Sequence, residues 1–577
     1  MRFSGQRQAL LFAAAACAFF FNLGGARLWD DDEPKNAQCA REMLDRGDWL
    51  IPSFNGDLRT DKPVLVYWLM MAAYRTFGVG EFAARFWSAA AALGTTLLTY
   101  HIGRTLLGPR VGLWSGWILA TTLMFVVAAR AATPDSVMIF CATLAMFFFV
   151  RGAWGASGTL AGANQLADFL PRRTMDLPLA YGAMALGVLA KGPVAAVLPL
   201  LVLVSYVVIV RQCLLTSQSS SRPARLLRFL SPAAWLAAGW RLRPFTALAV
   251  IAAIAGPWYL LVGIATDGEW LSGFLGTHNL NRYWQPMEGH QGPIWYYLPA
   301  ILFGFFPWSI VLPQAVVRTV VQMRRSTNWA AYLFLACWAG AWVGFFSLSG
   351  TKLPSYATPA FPALAIMTAA WIDGWLTEPQ KLNRWLLRQG LVSLALVGIA
   401  LLIALPILDH YVLPGEAILG LIGLPLVIGS LAALIWAFRA PRRAALALAG
   451  SALAFVTLTF SFAAVRVSRH QNSVALPDAL HGDSRFEPAA FDLAVPGMVY
   501  YAHRRIPHYE EARYALRFLR SSPEALLVTH SRGYRELRSR LPPDVTIVSR
   551  QQRFLRRSEV VVLGRRNTLA QRAAQNR

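Results

Sequence analysis

Four acidic residues stand side by side where the first apolar run of the chain ends: Asp30, Asp31, Asp32 and Glu33. Adjacent carboxylates repel one another, so a nearby cation, metal ion or substrate amine would stabilise them. Pro34 can occupy the first turn of a helix, and the backbone N–H groups of that turn favour ionised carboxylates. Asp32 and Glu33 are therefore candidates for catalysis, whereas Asp30 and Asp31 fit solvated surface positions.

Asp135 is the third acidic candidate. It lies in the first turn of a predicted apolar helix that Thr133 can cap and Pro134 can open. A lone aspartate in this position is often explained by the helix dipole. Its place at the mouth of a membrane span nevertheless favours a function, because ionisable groups are costly at membrane depth.

Three lysines, Lys62, Lys191 and Lys352, each stand beside glycine or proline at the edge of an apolar segment. A lysine at a helix end often extends to the membrane interface without any catalytic role. Glycine and proline, however, indicate tight turns that expose backbone N–H groups. Several cations around one pocket would suit an anionic phosphate, so these lysines are candidate phosphate ligands.

A polar loop within "THNLNRYWQPMEGHQGPIWYY" supplies the remaining candidates, namely His278, Asn279, Arg282, Glu288 and His290. Histidine and glutamate can bind a divalent metal ion, but their spacing here fits no strict template. Metal binding therefore stays open, with Asp32, His278, Glu288 and His290 as the candidate ligands. Arg282 is a further candidate for the phosphate.

The elements that carry these residues are predicted to be membrane helices. The 577 residues are 56% hydrophobic and 15% charged, and a soluble chain would carry closer to a quarter charged residues. Apolar runs long enough to cross a bilayer recur along the chain. About thirteen spans are predicted, near 9–25, 81–103, 111–128, 135–152, 178–190, 193–211, 245–264, 294–318, 329–347, 357–375, 387–407, 415–437 and 443–465.

The charge pattern predicts the orientation of these spans. Arginines concentrate in alternate loops, which the positive-inside rule assigns to the cytoplasm together with the N-terminus. Every candidate residue then falls in the other set of loops, on the outer face. The net charge of +24 does not indicate nucleic-acid binding, because no recognition motif accompanies it.

The chain is predicted to contain two parts. Residues 1–465 form an all-α polytopic membrane domain, whose first outer loop, 26–80, carries two helices lying along the membrane surface. Residues 466–577 form a small α/β domain outside the membrane. Its predicted strands are "GMVYYA", "EALLVTH", "DVTIVS" and "EVVVLG", and "YEEARYALRFLRSS" is its predicted helix.

Several stretches resemble the protein O-mannosyltransferase-related superfamily, which are integral-membrane glycosyltransferases of the C-type (GT-C) fold. They are "DEPKNAQCAREMLDRGDWLIPSFNGDLRTDKPVLVYWLM", "RAATPDSVMIF", "LAKGPVAAVLPL", "HNLNRYW", "GPIWYYLP" and "SGTKLPSYATPAFPALA". The resemblance covers nearly the whole membrane region, in order. Within the superfamily, the chain is most similar to the bacterial aminoarabinose lipid A transferase branch.

This resemblance implies a polyprenyl-phosphate (undecaprenyl-phosphate) sugar donor, used at the outer face of the bacterial inner membrane. It implies catalytic roles for Asp32 with Glu33 and for Asp135. It implies contact of Lys62 with the donor phosphate and closure of the cavity by the segment containing Lys352. His278, Asn279 and Tyr356, in the matching motifs, are then expected to bind substrate.

The sugar and the acceptor stay open, because Asp30, Asp31 and Lys35-Asn36 depart from the pattern of the family. The expected reaction is an inverting displacement at the anomeric carbon. A hydroxyl acceptor would require a base or a metal ion, whereas a lipid A phosphate would require neither. The alternatives are a transferase that acts on protein and, from another class, a lipid or sugar transporter. A transporter would place ionisable residues near the middle of its spans.

Overall fold

The computed structural model of the chain describes residues 2–29, 32–155, 160, 162–215, 231–284, 289–471, 486–493, 496–554 and 559–565. Asp30, Asp31 and Glu288, as well as the side chain of Arg282, lie outside the described residues.

The described membrane part is helical. Its longer helices are Arg2–Phe20, Asp32–Arg46, Leu65–Phe77, Glu81–Leu107, Pro109–Ala120, Leu123–Ala129, Asp135–Trp154, Asp176–Lys191, Val194–Leu215, Pro232–Arg241, Pro244–Ala265, Tyr297–Gly304, Leu312–Arg325, Trp329–Leu348, Phe361–Thr377, Arg384–Tyr411, Leu424–Trp436 and Pro441–Leu458. The polytopic all-α prediction is confirmed. Within the described residues, eight helices are long and apolar enough to cross a membrane, or nine if the pair 109–129, bent by 68°, is one span. The count of thirteen stays a prediction.

The predicted span 294–318 is wrong as a single helix. Helix Tyr297–Gly304 ends before a short 3-10 turn at Trp308–Ile310, and a new helix runs over Leu312–Arg325. Pro307 explains the break, because proline cannot donate the backbone hydrogen bond that a continuous helix requires.

The predicted first outer loop, 26–80, contains two helices, and their position along the membrane surface stays a prediction. Helix Asp32–Arg46 buries Ala37, Ala40 and Met43 on one face. The hydroxyl of Tyr74, in helix Leu65–Phe77, donates a hydrogen bond to the carbonyl of Ala37 at 3.1 Å. Two short antiparallel strands, β1 (Ser53–Phe54) and β2 (Asp57–Leu58), connect the two helices.

The tail forms the predicted α/β domain around a five-stranded sheet of order β4-β3-β5-β7-β6. Its strands are β3 (Glu487–Phe491), β4 (His508–Tyr509), β5 (Ala525–His530), β6 (Val545–Gln552) and β7 (Glu559–Arg565). The first three strands are parallel to one another, and β7 is antiparallel to both of its neighbours, β5 and β6. The predicted helix is confirmed at Ala512–Ser521.

The prediction of a strand at "GMVYYA" is wrong, because this segment is the helix Pro496–Ala502. The helix docks on the first outer loop and on the start of helix Glu81–Leu107. Arg41 donates a hydrogen bond to the carbonyl of Tyr500 at 3.0 Å, and the hydroxyl of Tyr501 donates one to Glu81 at 2.9 Å. An apolar run of six residues suits a strand or a buried helix, and its packing partner decides between them.

Candidate active site

A cavity of about 700 Å³, here called the outer cavity, opens among the predicted outward segments. Its polar lining includes Asp61, Lys62, Lys191, His278, Asn279, Ser349, Ser355 and Tyr356. Its apolar lining comes from helix Val194–Leu215, helix Trp329–Leu348 and the segment 274–284, among others. Segments far apart in sequence thus place acids, lysines and aromatic rings around one space.

Asp135 and Lys191 form an ion pair at one side of this cavity. The Lys191 ammonium lies 2.6 Å from Oδ1 of Asp135, and both side chains are largely buried. The same ammonium lies 5.6 Å from the ring centroid of Tyr356. The pair joins the first residue of one helix to the last residue of another, which fixes both helix ends at the cavity.

The turn after Lys191 requires glycine. Gly192 has a φ of +92°, and a Cβ atom there would lie 2.6 Å from the ring of Phe274. Its amide donates a hydrogen bond to the carbonyl of Val188 at 2.9 Å, and the next helix begins at Val194. The segment is thus two helices joined by a tight turn that holds Lys191 at the cavity.

Asp61 is a site residue that the sequence analysis missed. Its Oδ1 lies 3.1 Å from Nε2 of His278, and Arg59 lies 3.4 Å from its Oδ2. Burial acts to raise the pKa of Asp61, but the positive charges of Arg59, His278, Lys62 and Lys35 outweigh burial and lower it. The only sequence signal was its position beside Lys62.

Lys62 lies near two acidic residues, Asp61 and Asp135. Its charge acts on Asp61 and also on Asp135. Lys62 would attract an anion in the cavity, whereas the two nearby carboxylates would repel it. The anion is therefore favoured on the side of Lys62 that faces away from them. This arrangement suits a ligand that carries both a phosphate and a positively charged or hydroxylated group.

Asp32 and Glu33 have different environments. Asp32 is exposed at the first residue of its helix. Lys35, one turn along the same helix, acts electrostatically on Asp61, so this helix end lies beside the cavity. Asp32 is not part of the cavity lining itself.

Glu33 is 5% exposed and accepts four hydrogen bonds. Arg85 donates two of them, at 2.8 and 2.7 Å, and the amides of Trp29 and Ala132 donate the others, at 2.7 and 2.6 Å. These contacts connect the first outer loop to the helix Glu81–Leu107. Glu33 therefore holds the helix start in place, and its direct participation in catalysis stays a prediction.

Lys352 also makes hydrogen bonds that stabilise the local fold. Its ammonium donates to the carbonyls of Ser347 and Ser349 at 2.8 and 2.7 Å, at the end of helix Trp329–Leu348. Burial lowers its pKa. The Lys352 segment contributes Tyr356 to the cavity, whereas phosphate binding by Lys352 itself stays a prediction.

The predicted metal ligands are not brought together within the described residues. His278 faces Asp61, His290 accepts a hydrogen bond from the amide of Lys352 through its own carbonyl, and no three acid, histidine or cysteine side chains gather there. Asn279 donates its side-chain amide to the carbonyl of Phe274 at 2.7 Å.

The sequence of this chain is similar to those of known transferases. Residues 61–221 match the family model of dolichyl-phosphate-mannose-protein mannosyltransferases. The chain is 28% identical over 428 residues to an undecaprenyl phosphate-alpha-4-amino-4-deoxy-L-arabinose arabinosyl transferase of Pectobacterium atrosepticum, which covers 72% of this chain and 68% of that protein. It is 31% identical over 366 residues to the protein of the same name from Erwinia tasmaniensis, which covers 63% and 59% of the two chains.

The fold is similar to that of crystal structures of ArnT from Cupriavidus metallidurans. The structure with bound undecaprenyl phosphate has a TM-score of 0.72 at 22% identity, and 96% of this chain and 97% of that chain are aligned. The structure of the apo state has a TM-score of 0.74 at the same identity. The predicted GT-C fold, with its C-terminal domain, is thereby confirmed.

Proposed function

We propose that this chain transfers a sugar from undecaprenyl phosphate to an acceptor in the cell envelope. The premise is that it belongs to the protein O-mannosyltransferase-related superfamily of membrane glycosyltransferases. The sugar that we propose is 4-amino-4-deoxy-L-arabinose, and the acceptor is lipid A. The names of the similar proteins support the donor and its sugar.

The observation that carries this proposal is the composition of the outer cavity. Lys62 and Lys191 stand there with Asp61 and Asp135, and apolar side chains line the remaining wall. A polyprenyl-phosphate sugar has a matching set of groups, since it carries a lipid chain, an anionic phosphate and a polar sugar. Lysines act on such a phosphate as point charges.

The proposed reaction is one displacement at the anomeric carbon. An oxygen atom of the acceptor forms a bond to that carbon while the bond from the carbon to the donor phosphate oxygen breaks, and the electron pair of the broken bond leaves with the phosphate. Lys62 stabilises the charge that develops on the leaving group. Lys191 shares its charge with Asp135, so it contributes less to the phosphate and more to the orientation of Asp135.

The role of the acids depends on the acceptor. A lipid A phosphate is already anionic and attacks without a base, so Asp61 and Asp135 would hold the amine of the sugar. A hydroxyl acceptor would release a proton, which Asp32 would accept. The amino group of the proposed sugar favours the first arrangement, because two carboxylates line or adjoin the cavity.

We further propose that the cavity and the C-terminal domain face the periplasm. The support is the concentration of arginines in the loops at the opposite face.

The experiment is reconstitution of the purified protein in bilayers with labelled donors and acceptors. Undecaprenyl-phosphate aminoarabinose is paired with lipid A, and a polyprenyl-phosphate hexose is paired with an unfolded protein or a peptide. Mass spectrometry then identifies the product. Aminoarabinose on lipid A supports the proposal, and sugar on the peptide supports the protein-acting alternative. The absence of transfer from every donor, with Asp135→Asn indistinguishable from wild type, overturns the enzyme assignment.

A further inference from the structure

A second apolar space, separate from the outer cavity, lies between helices Leu424–Trp436 and Pro441–Leu458. Its volume is about 630 Å³, and its lining includes Ile428, Ala432, Leu446, Gly450, Ala454 and Leu458. It shares no lining residue with the outer cavity. Because its lining residues span most of both helices, this space is a groove that runs along the depth of the membrane.

Five arginines stand at the end of the groove that the positive-inside rule assigns to the cytoplasm. They are Arg384, Arg388, Arg439, Arg442 and Arg443, here called the arginine cluster, and all five are exposed. Among the described residues no salt bridge involves any of them. The acids nearby have other partners, since Glu378 binds Lys381 at 2.7 Å and Asp373 binds Arg110 at 3.1 Å.

Helix geometry connects the cluster to the groove. Arg442 precedes Leu446 by four residues, and Arg443 precedes Ala447 by four, and both of the later residues line the groove. Residues four apart lie on the same face of a helix, one turn from each other. Two guanidinium groups therefore lie one turn above the apolar lining.

The arrangement of the cluster is partly fixed by an aromatic ring. The guanidinium carbons of Arg384 and Arg388 lie 5.3 and 5.4 Å from the ring centroid of Phe438, in the turn between the two groove helices. The exposed Trp385, beside them, is the residue type that marks the membrane interface. The charges thus stand at the level of lipid headgroups.

We propose that this site binds an anionic phospholipid of the cytoplasmic leaflet. Its phosphate would contact the arginine cluster, and one of its acyl chains would occupy the groove. The helix Pro441–Leu458 has no side-chain cap at its first turn, which adds the positive end of a helix dipole to the same place. Arginine is suited to this role because its planar group binds phosphate oxygens in pairs.

The test is lipid retention by the full chain, measured by native mass spectrometry. Phosphatidylglycerol and phosphatidylcholine of equal chain length are offered together. We expect wild type to retain the anionic lipid at least tenfold better. In Arg439→Gln/Arg442→Gln/Arg443→Gln this preference falls at least fivefold, toward equal retention of the two lipids.

The matched control is Arg324→Gln/Arg325→Gln, which removes two exposed arginines from another helix end at the same face and leaves the preference unchanged. Gly450→Leu tests the groove itself. A Cβ atom at Gly450 meets nothing within 4 Å, so a leucine there fills the groove without a clash at Cβ and lowers the retention of both lipids.

A salt titration of wild type tests the same charge contacts without any substitution, so it does not depend on whether a variant folds. Added salt weakens exposed charge contacts, so the preference for the anionic lipid must fall as the salt concentration rises. Equal retention of the two lipids by wild type overturns the proposal. An unchanged preference in the triple glutamine variant, or an equal loss in the control, also overturns it.

Discussion

The ammonium of Lys191 lies 2.6 Å from the Oδ1 atom of Asp135, and the two residues occupy the facing ends of two helices. Neither residue could be recognised as the partner of the other in the sequence, where 56 positions separate them. The pair places a carboxylate and an ammonium at the same wall of the outer cavity.

We expect Asp135→Asn and Lys191→Gln each to lower kcat/KM by about 100-fold, because each removes a preorganised charge from the site. If the two residues act as one unit, the double variant is hardly slower than either single variant. The measurement is transfer from a labelled undecaprenyl-phosphate sugar. Losses that multiply in the double variant would contradict the shared role.

Lys62 is expected to act on the donor phosphate rather than on stability. Lys62→Gln should raise the donor KM or lower kcat, with a combined loss of about 10- to 100-fold, and Lys62→Arg should recover part of it. Lys352→Met is the contrast, because it removes the donor to two carbonyls and should cost about 1–3 kcal/mol of stability. Donor titrations and thermal unfolding separate the two effects.

Substitution of the two acids at the start of helix Asp32–Arg46 should have different effects on the free energy of unfolding. Glu33→Gln breaks a buried ion pair with Arg85 and should lower the free energy of unfolding by about 3–5 kcal/mol. Asp32→Asn changes an exposed residue and should leave it within about 0.5 kcal/mol. If Asp32 is the base for a hydroxyl acceptor, the second variant loses transfer while it keeps its stability. Equal destabilisation by the two variants would contradict this division.

The docking of the C-terminal domain should depend on Arg41. Its guanidinium contacts the carbonyl of Tyr500 at 3.0 Å and the ring of His503 at 2.8 Å. Arg41→Ala leaves buried partners unsatisfied, at a cost of about 1–3 kcal/mol, and should speed proteolysis and hydrogen exchange in residues 486–565. Arg517→Ala is the control, because Arg517 stacks on Tyr514 of its own helix. Equal effects of the two variants would remove Arg41 from this role.

The lowered pKa of Asp61 predicts that the stability of the folded chain depends on pH. Its pKa is lowered in the folded chain, while an unfolded aspartate has a pKa of about 3.9. The stability that ionised Asp61 contributes is therefore fully present above about pH 4 and is lost as the pH falls through the lower folded value. We expect the stability difference between wild type and Asp61→Asn to persist from pH 7 to 5 and to shrink below pH 4. Thermal unfolding across this range measures it, and a difference that disappears near pH 6 would contradict the assignment.

Much of the fold could be predicted because its signals are local. A long apolar run predicts a helix wherever it packs, and the helix bounds Asp135–Trp154 and Trp329–Leu348 follow the hydropathy closely. Interrupted patterns were harder to interpret. The apolar run 294–318 is long enough for one span, but it contains Pro307. Its length is easier to recognise in the sequence than the interruption of the helix at this proline. At "GMVYYA" a short apolar run suits either a strand or a buried helix, and the folded chain forms a helix there.

The sequence by itself identified Lys62, Asp135 and Lys191 as candidates for chemistry, because charged residues beside apolar spans are conspicuous. Only the tertiary structure decided which residues they contact. It paired Lys191 with Asp135, it brought Asp61 to His278, and it enclosed Glu33 in a salt bridge with Arg85. Glu33 and Asp32 look alike as neighbours in sequence. Successive positions on a helix point about 100° apart, so one carboxylate meets a buried guanidinium and the other meets solvent.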